Sequence, residues 1–195
     1  MKAAYINHTG APDVITYGDL PTPKPTTRQC LIKVGAVDVN PIDTYIRSGA
    51  IPAKLSYPFI LGRDLAGTVV EAGASVKGFK VGDRVWATNQ GTEGRPGTFA
   101  EFAAVDHRWL HPIPEGISDD DAVALSLVGV TAQLGLVRHA TLKPGEIPKD
   151  IESKRQIFDD SRARAEWGWQ PTADTVEKIV DAMQQEIQPN TSVRL

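Results

Sequence analysis

The first 110 residues alternate short apolar segments with dense turn signals. Each apolar segment is rich in Val, Ile, Thr or aromatic residues and is bounded by Gly, Pro, Asn or Asp, as β-strands are. The segments are MKAAYI, CLIKVGAVDV, AGTVVEAG, DRVWAT and TFAEFAAV, separated by turns such as PTPKP and GASVKGFKVGD. Many short strands with this punctuation predict a β-barrel or sandwich rather than alternating βαβ units.

A helical pattern follows in ISDDDAVALSLVGVTAQLGLVRHA. Ser118 suits an N-cap, and the three aspartates after it suit the positive end of a helix. Apolar residues then fill every turn, which predicts one or two buried helices interrupted near Gly129. Beyond Ile147 the chain becomes polar and predicts two short amphipathic helices, over 161–167 and after a cap at Asp174. We therefore expect domains at 1–146 and 147–195.

Composition narrows the class of protein. The chain has 195 residues and a net charge of −3, so it lacks the basic balance typical of nucleic-acid or anionic-membrane binding. No apolar run in the sequence suggests a membrane span, and the N-terminus lacks the pattern of a signal peptide. Cys30 is the single cysteine, inside an apolar run, which predicts a buried thiol in a reducing compartment. We expect a cytoplasmic protein without nucleic-acid or membrane partners.

Four stretches in one order carry a resemblance to a known family: VDVNPIDTYIRSG, ILGRDLAGTVVEAGASVKGFKVGDRVWA, GTFAEFAAVD and LSLVGVTAQLGL. Together they resemble the N-terminal catalytic domain of medium-chain dehydrogenases/reductases. Within that superfamily they look like the zinc-independent quinone oxidoreductase branch, to which zeta-crystallin belongs. The resemblance covers 1–146 and implies a mainly β fold, a partly open GroES-like β-barrel followed by short helices.

The resemblance also implies a reaction and a set of site residues. In the family, hydride passes directly from NADPH to a quinone or an activated alkene. Carried over, Asn40 is a polar contact in the cleft for cofactor and substrate, and Asp43 fixes the turn beside the cofactor. Tyr45 is an aromatic wall whose hydroxyl could steady a developing oxyanion. Thr131 would contact the nicotinamide end of the cofactor. From the residues alone, an Asx turn or helix cap is favoured for Asp43, and a half-buried packing role explains Tyr45 as well as a site role does.

The family resemblance also argues against a metal site. Zinc-dependent relatives place a Cys where this chain has Asn40 or Pro41, and a His-Glu pair where it has Arg63 and Asp64. A guanidinium cannot ligate zinc. His107 and His111 have a helical spacing, but the prolines around His111 favour extended chain. We therefore predict no metal, and a surface role for Arg63.

The sequence lacks the segment that binds the pyrophosphate of the cofactor in medium-chain relatives. Medium-chain relatives follow the PGE-like turn with a strand, a glycine-rich turn and a helix that together hold the pyrophosphate. No such stretch occurs here, so we expect no Rossmann domain. Instead, 155–183 resembles the C-terminal segment of epimerase-like extended short-chain dehydrogenases of the threonine dehydrogenase type, without their catalytic Tyr-x-x-x-Lys pair.

Two functions remain open. One is an NADPH-dependent quinone or enone reductase whose cofactor domain is missing, so that the chain is inactive alone and binds NADPH very weakly. The other is a non-catalytic barrel module or fusion remnant that acts through self-association or a partner.

Overall fold

The computed structural model describes residues 1–139. The chain divides into two compact units, Met1–Leu127 and Val128–Leu195. The predicted boundary at 146/147 and the two predicted helices beyond it lie outside the described residues and stay predictions.

Eight strands form two antiparallel sheets in the first unit. The smaller sheet has the order β2-β1-β4, and the larger sheet has the order β7-β3-β5-β6-β8. The strands are β1 Lys2–Ile6, β2 Thr16–Asp19, β3 Gln29–Asp38, β4 Phe59–Ile60, β5 Asp64–Ala72, β6 Arg84–Ala87, β7 Phe102–Asp106 and β8 His111–Pro112. The mainly β fold predicted from the sequence is confirmed.

The hydrophobic core lies on one face of the larger sheet. Strand β3 pairs with β5 along one edge and with β7 along the other, so it is an interior strand of this sheet. Inward and outward positions alternate along strands, and the fully buried members of this core are Cys30, Ile32, Leu65, Val69, Val85 and Ala87. Burial raises the pKa of the Cys30 thiol, consistent with its predicted packing role.

The two sheets meet through a short backbone junction. Ala3 and Ala100 form an isolated antiparallel bridge, and the amide of Ala4 donates to the carbonyl of Phe99 at 2.8 Å. Beyond this junction the sheets do not pair, so among residues 1–139 they make a partly open barrel rather than a closed one. No Rossmann-type unit is present in that part of the chain, because every described strand pairing is antiparallel. The segment TFAEFAAV contributes a shorter strand than expected, because pairing with β3 begins only at Phe102.

Two helices differ from the sequence prediction. Helix α1, Pro41–Ser48, occupies a stretch that we interpreted as a turn; Pro41 suits its first turn, and Gly49 ends it at a φ of 80°. Helix α2, Asp119–Gln133, begins at the predicted cap, where the amide of Asp121 donates to the Ser118 hydroxyl at 3.1 Å. It runs through Gly129, and a π-helical segment, Leu134–His139, follows it. The predicted interruption is wrong, since one glycine costs a helix only about 1 kcal/mol.

Helix α2 and its continuation are also longer and more apolar than the sequence interpretation allowed. Within the 20 residues Asp119–Arg138, an 18-residue window has a mean hydropathy of 1.4, which meets the length and composition of a membrane-crossing helix. Only 17% of that window is buried. Length and composition are weak grounds for a span, because core helices of soluble proteins pass the same test.

Candidate functional site

The start of α1 is built by a short-range exchange of hydrogen bonds. Asn40 is the N-cap in an extended conformation, and its backbone amide donates to Asp43 Oδ2 at 2.8 Å. The amide of Asp43 donates in turn to the Asn40 carbonyl at 2.9 Å. This satisfies donors that a helix start leaves without intrahelical partners. Asp43 therefore has the helix-cap role that the sequence left open.

A buried carboxylate ties this helix start to the larger sheet. Asp64, at the start of β5, is completely buried. Its Oδ2 accepts a hydrogen bond from Asn40 Nδ2 at 2.8 Å, and its Oδ1 accepts one from the Thr88 hydroxyl at 2.6 Å. Asn40, Asp43, Asp64 and Thr88 are called the buried polar network below. Because β3, α1, β5 and the end of β6 each contribute to it or adjoin it, the network fixes where α1 sits on the barrel.

Burial is the largest cause of the pKa shifts in this network. Desolvation raises the pKa of Asp43 to about 6, against the opposing effect of the Asn40 amide, and the neighbouring Asp64 raises it further. Desolvation also raises the pKa of Asp64, although Thr88 and Asn40 both donate to its charged form. Asp38, opposite Asp64 in the β3–β5 ladder, has a pKa raised by burial as well. Three acids thus share one region, which disfavours their simultaneous ionisation.

The raised pKa of Asp43 predicts a pH dependence of stability. A carboxyl whose pKa is higher in the folded state binds its proton more tightly there, so folding is favoured as the pH falls from about 6 to about 4. The difference corresponds to roughly 3 kcal/mol at most. We expect Asp43→Asn to flatten this rise in the free energy of unfolding, measured by urea denaturation at each pH. The exposed Asp13→Asn is the control, and an unchanged slope in Asp43→Asn would contradict the prediction.

The other predicted site residues occupy different surroundings. Asn40 is only 3% exposed, and its side-chain amide is engaged by Asp64, so the structure shows it as a structural link. Tyr45 is 49% exposed on α1, and no hydrogen bond joins its hydroxyl to the described residues. Thr131 lies near the end of α2, in the second unit. The proposed contacts of Asn40, Asp43, Tyr45 and Thr131 with substrate or cofactor stay predictions.

Arg63 is held on the surface by a neighbouring turn. Its Nη2 donates to Asn89 Oδ1 at 2.6 Å, and its carbonyl accepts from the amide of Gln90 at 3.0 Å. Asn89 has a φ of 60°, an unusual value that Asn tolerates better than most residues. Arg63 thus braces the turn after β6, and its charge favours the ionised form of Asp43.

Sequence reasoning missed the two residues that complete the network. Asp64 was noted only as the replacement for a zinc-site residue, and Thr88 was assigned no role. A signal for Asp64 was present, since a lone carboxylate opening the apolar strand DLAGTVV must be paired if the strand is buried. Nothing in the local sequence marks Thr88, because its role depends on the β5–β6 pairing.

Among the described residues, acids occupy the first turns of both helices and are not clustered as metal ligands. Among residues 1–139, no group of three or more His, Cys, Asp and Glu side chains is arranged to hold a metal ion. A diphosphate is held best at a helix N-terminus with free amides. Asp43 caps the start of α1, and three aspartates, Asp119–Asp121, occupy the first turn of α2. These acids repel an anion, so neither described helix start fits the pyrophosphate of NADPH.

Comparison with known proteins agrees with this architecture. Residues 26–115 match the alcohol dehydrogenase GroES-like domain. The chain carries a GroES-like domain of the alcohol dehydrogenase type. Mouse quinone oxidoreductase is 37% identical over 147 residues, which are 75% of this chain and 43% of the mouse protein. The chain thus spans less than half the length of this relative.

Solved structures show the same relationship for the GroES-like part. A quinone oxidoreductase from Pseudomonas syringae has a TM-score of 0.66 at 35% identity, covering 74% of this chain and 43% of its own. The Escherichia coli quinone oxidoreductase, solved with NADPH, has a TM-score of 0.67 at 30% identity, covering 75% and 43%. The predicted medium-chain dehydrogenase/reductase resemblance is confirmed over the first three quarters of the chain.

Proposed function

We propose that this chain is the acceptor-side domain of a zinc-independent quinone or enone reductase, and that alone it does not catalyse hydride transfer. The single observation that supports the acceptor side is the exposed Tyr45 on a helix anchored by the buried polar network. An aromatic ring on a rigid support can stack on a quinone, and its free hydroxyl can donate to a quinone oxygen. The NADPH-bound Escherichia coli relative supports the reaction class.

The second half of the proposal, that the chain alone does not catalyse hydride transfer, rests on the contacts that it could offer to the cofactor. Both described helix starts carry acids, and the sequence contains no glycine-rich dinucleotide turn. A chain without such a turn lacks the amide donors that hold the diphosphate, so we expect very weak NADPH binding and no hydride transfer by the chain alone.

The proposal is tested by two titrations of the full chain. We expect calorimetry to give an NADPH dissociation constant of about 1 mM or weaker. We expect duroquinone, which is fully substituted and does not add thiols, to shift the NMR amide signal of Tyr45. Tyr45→Ala should weaken that binding about fivefold, while Tyr17→Ala, an exposed tyrosine on β2, should not. Micromolar NADPH binding would overturn the inactivity, and quinone binding unaffected by Tyr45→Ala would overturn the acceptor role.

A second candidate function is self-association of the barrel. A groove of about 360 Å³ opens between β1 and the second half of β3, where the β3–β7 ladder has ended and the Val34 amide donates to the Glu101 carbonyl at 3.0 Å. Tyr17 and Val37 line it and are 74% and 39% exposed. A second copy would cover these apolar groups.

Sedimentation velocity separates this candidate from a monomeric domain. We expect concentration-dependent dimerisation that Tyr17→Ser with Val37→Ser weakens about tenfold, whereas Val81→Ser, at an exposed position outside the groove, does not. A strictly monomeric profile at high concentration would contradict self-association.

The cytoplasmic location and the lack of nucleic-acid or membrane partners are proposed on composition alone.

A further inference from the structure

A second cavity lies away from the buried polar network. It has a volume of about 270 Å³ and lies between the segment leading into β4 and the loop after β6. Tyr57, Pro58 and Phe59 form one side, and Arg95 and Pro96 form the other. Aromatic residues, prolines and Arg95 make up most of its lining, with Ser56 and Gly94, and no acidic residue lines it. It is called the Arg95 cavity below.

Both walls of the Arg95 cavity are rigid. Phe59 is 5% exposed and packs in the core of the smaller sheet, so its ring cannot swing away. The opposite loop is closed by backbone hydrogen bonds, from the amide of Gly91 to the carbonyl of Pro96 at 3.1 Å and from the amide of Arg95 to Thr92 at 2.9 Å. A pre-formed cavity of this kind loses little entropy on binding a ligand.

The Arg95 guanidinium is fixed in place but retains binding capacity. Its Nη2 donates to the Asn89 carbonyl at 2.9 Å, and its Cζ atom lies 4.9 Å from the centre of the Trp109 ring. Its carboxylate partner is Glu93 at 3.1 Å, whose side chain is 77% exposed. An ion pair so open to water neutralises little of the charge. The Nε atom is buried and has no hydrogen-bond partner among the described residues.

The Arg95 side chain is 22% exposed although Nε itself is closed to solvent, so acceptor oxygens of a ligand would bind the accessible part of the guanidinium. A carboxylate offers two such oxygens and matches the charge of the guanidinium. The half-exposed Tyr57 ring and the two prolines favour a flat apolar body over a flexible one, and Phe59 supports this wall from the core.

We propose that the Arg95 cavity binds a small planar aromatic carboxylate, with its ring between the aromatic and proline walls and its carboxylate on Arg95. This site is separate from the proposed acceptor side and does not rest on the reductase function.

The proposal is tested by NMR titration of the full chain with benzoate and with benzamide, its neutral analogue. We expect benzoate to bind with a dissociation constant of roughly 1 mM and benzamide at least about tenfold more weakly. The shifted amides should belong to the cavity residues, including Tyr57, Gly94 and Arg95. If the aromatic ring alone drives binding, benzoate and benzamide will shift these signals equally. Equal shifts would overturn the role of the guanidinium.

Variants locate the binding site. Arg95→Met should abolish benzoate binding, and Arg108→Met, an exposed arginine on an adjoining turn, should leave it unchanged. If Arg95→Met fails to fold, Tyr57→Ala at a 48% exposed position removes one wall without disturbing the core and should weaken binding about fivefold. An unchanged benzoate affinity in Tyr57→Ala or in Arg95→Met, or no binding to the parent chain at tens of millimolar benzoate, overturns the proposal.

Discussion

Asp64→Ala should destabilise the barrel by about 3–4 kcal/mol, the largest effect expected from any single side chain in the candidate site. The substitution removes a fully buried carboxylate that accepts hydrogen bonds from Asn40 Nδ2 and from the Thr88 hydroxyl. Both donors then lose this acceptor; the Asn40 amide is buried, and the Thr88 hydroxyl is partly buried. The cavity left by the missing atoms adds to this cost. Urea denaturation followed by far-UV circular dichroism measures the difference.

Asp64→Asn is the matched control for this prediction. The asparagine oxygen can accept from Asn40, and its amide can donate to the Thr88 hydroxyl, which accepts as well as donates. The uncharged amide also avoids the desolvation that raises the pKa of Asp64. We expect Asp64→Asn to fall within about 1 kcal/mol of the parent chain. Equal losses in the two variants would show that the charge, and not the pairing of donors, stabilises the network.

The extent to which the sequence predicts this fold differs between strands and site. Strand β5 could be predicted, because its apolar residues and bounding glycines are local signals. Helix α1 was missed, since the eight residues PIDTYIRS carry too short a periodicity to separate a helix from a turn. The cap at Asp43 was foreseen as an alternative, but its raised pKa depends on tertiary burial.

The contacts of the site residues depend even more on tertiary structure than the strands and α1 do. Asn40 was expected in the cleft, yet its side chain points its amide at Asp64, 24 positions later in the chain. That pairing arises only after β3 and β5 align with Asp38 opposite Asp64. The Arg95 cavity was not predicted at all, because its walls come from segments about 40 residues apart that no local pattern connects.

Gly97→Ala should cost about 3 kcal/mol or more of the free energy of unfolding. A Cβ at Gly97 would lie 2.3 Å from both the Ile60 and Leu61 carbonyl oxygens, which are backbone atoms and cannot rotate away. The amide of Gly97 also donates to the Ile60 carbonyl at 2.9 Å, so any shift that relieves the clash stretches this bond. Close backbone approach, rather than a special φ, therefore requires glycine here.

Gly18→Ala provides the comparison that makes the Gly97 result interpretable. A Cβ at Gly18 would meet its nearest heavy atom, the Tyr5 hydroxyl oxygen, at 3.4 Å, an ordinary contact, so we expect a change within about 0.5 kcal/mol. Because β4 ends at Ile60, the shift forced by Gly97→Ala should also spread the amide signals of Phe59 and weaken benzoate binding in the Arg95 cavity. If Gly97→Ala unfolds at the same urea concentration as Gly18→Ala, the close approach of the loop to β4 does not exist in solution, and the rigid wall inferred for the cavity is lost with it.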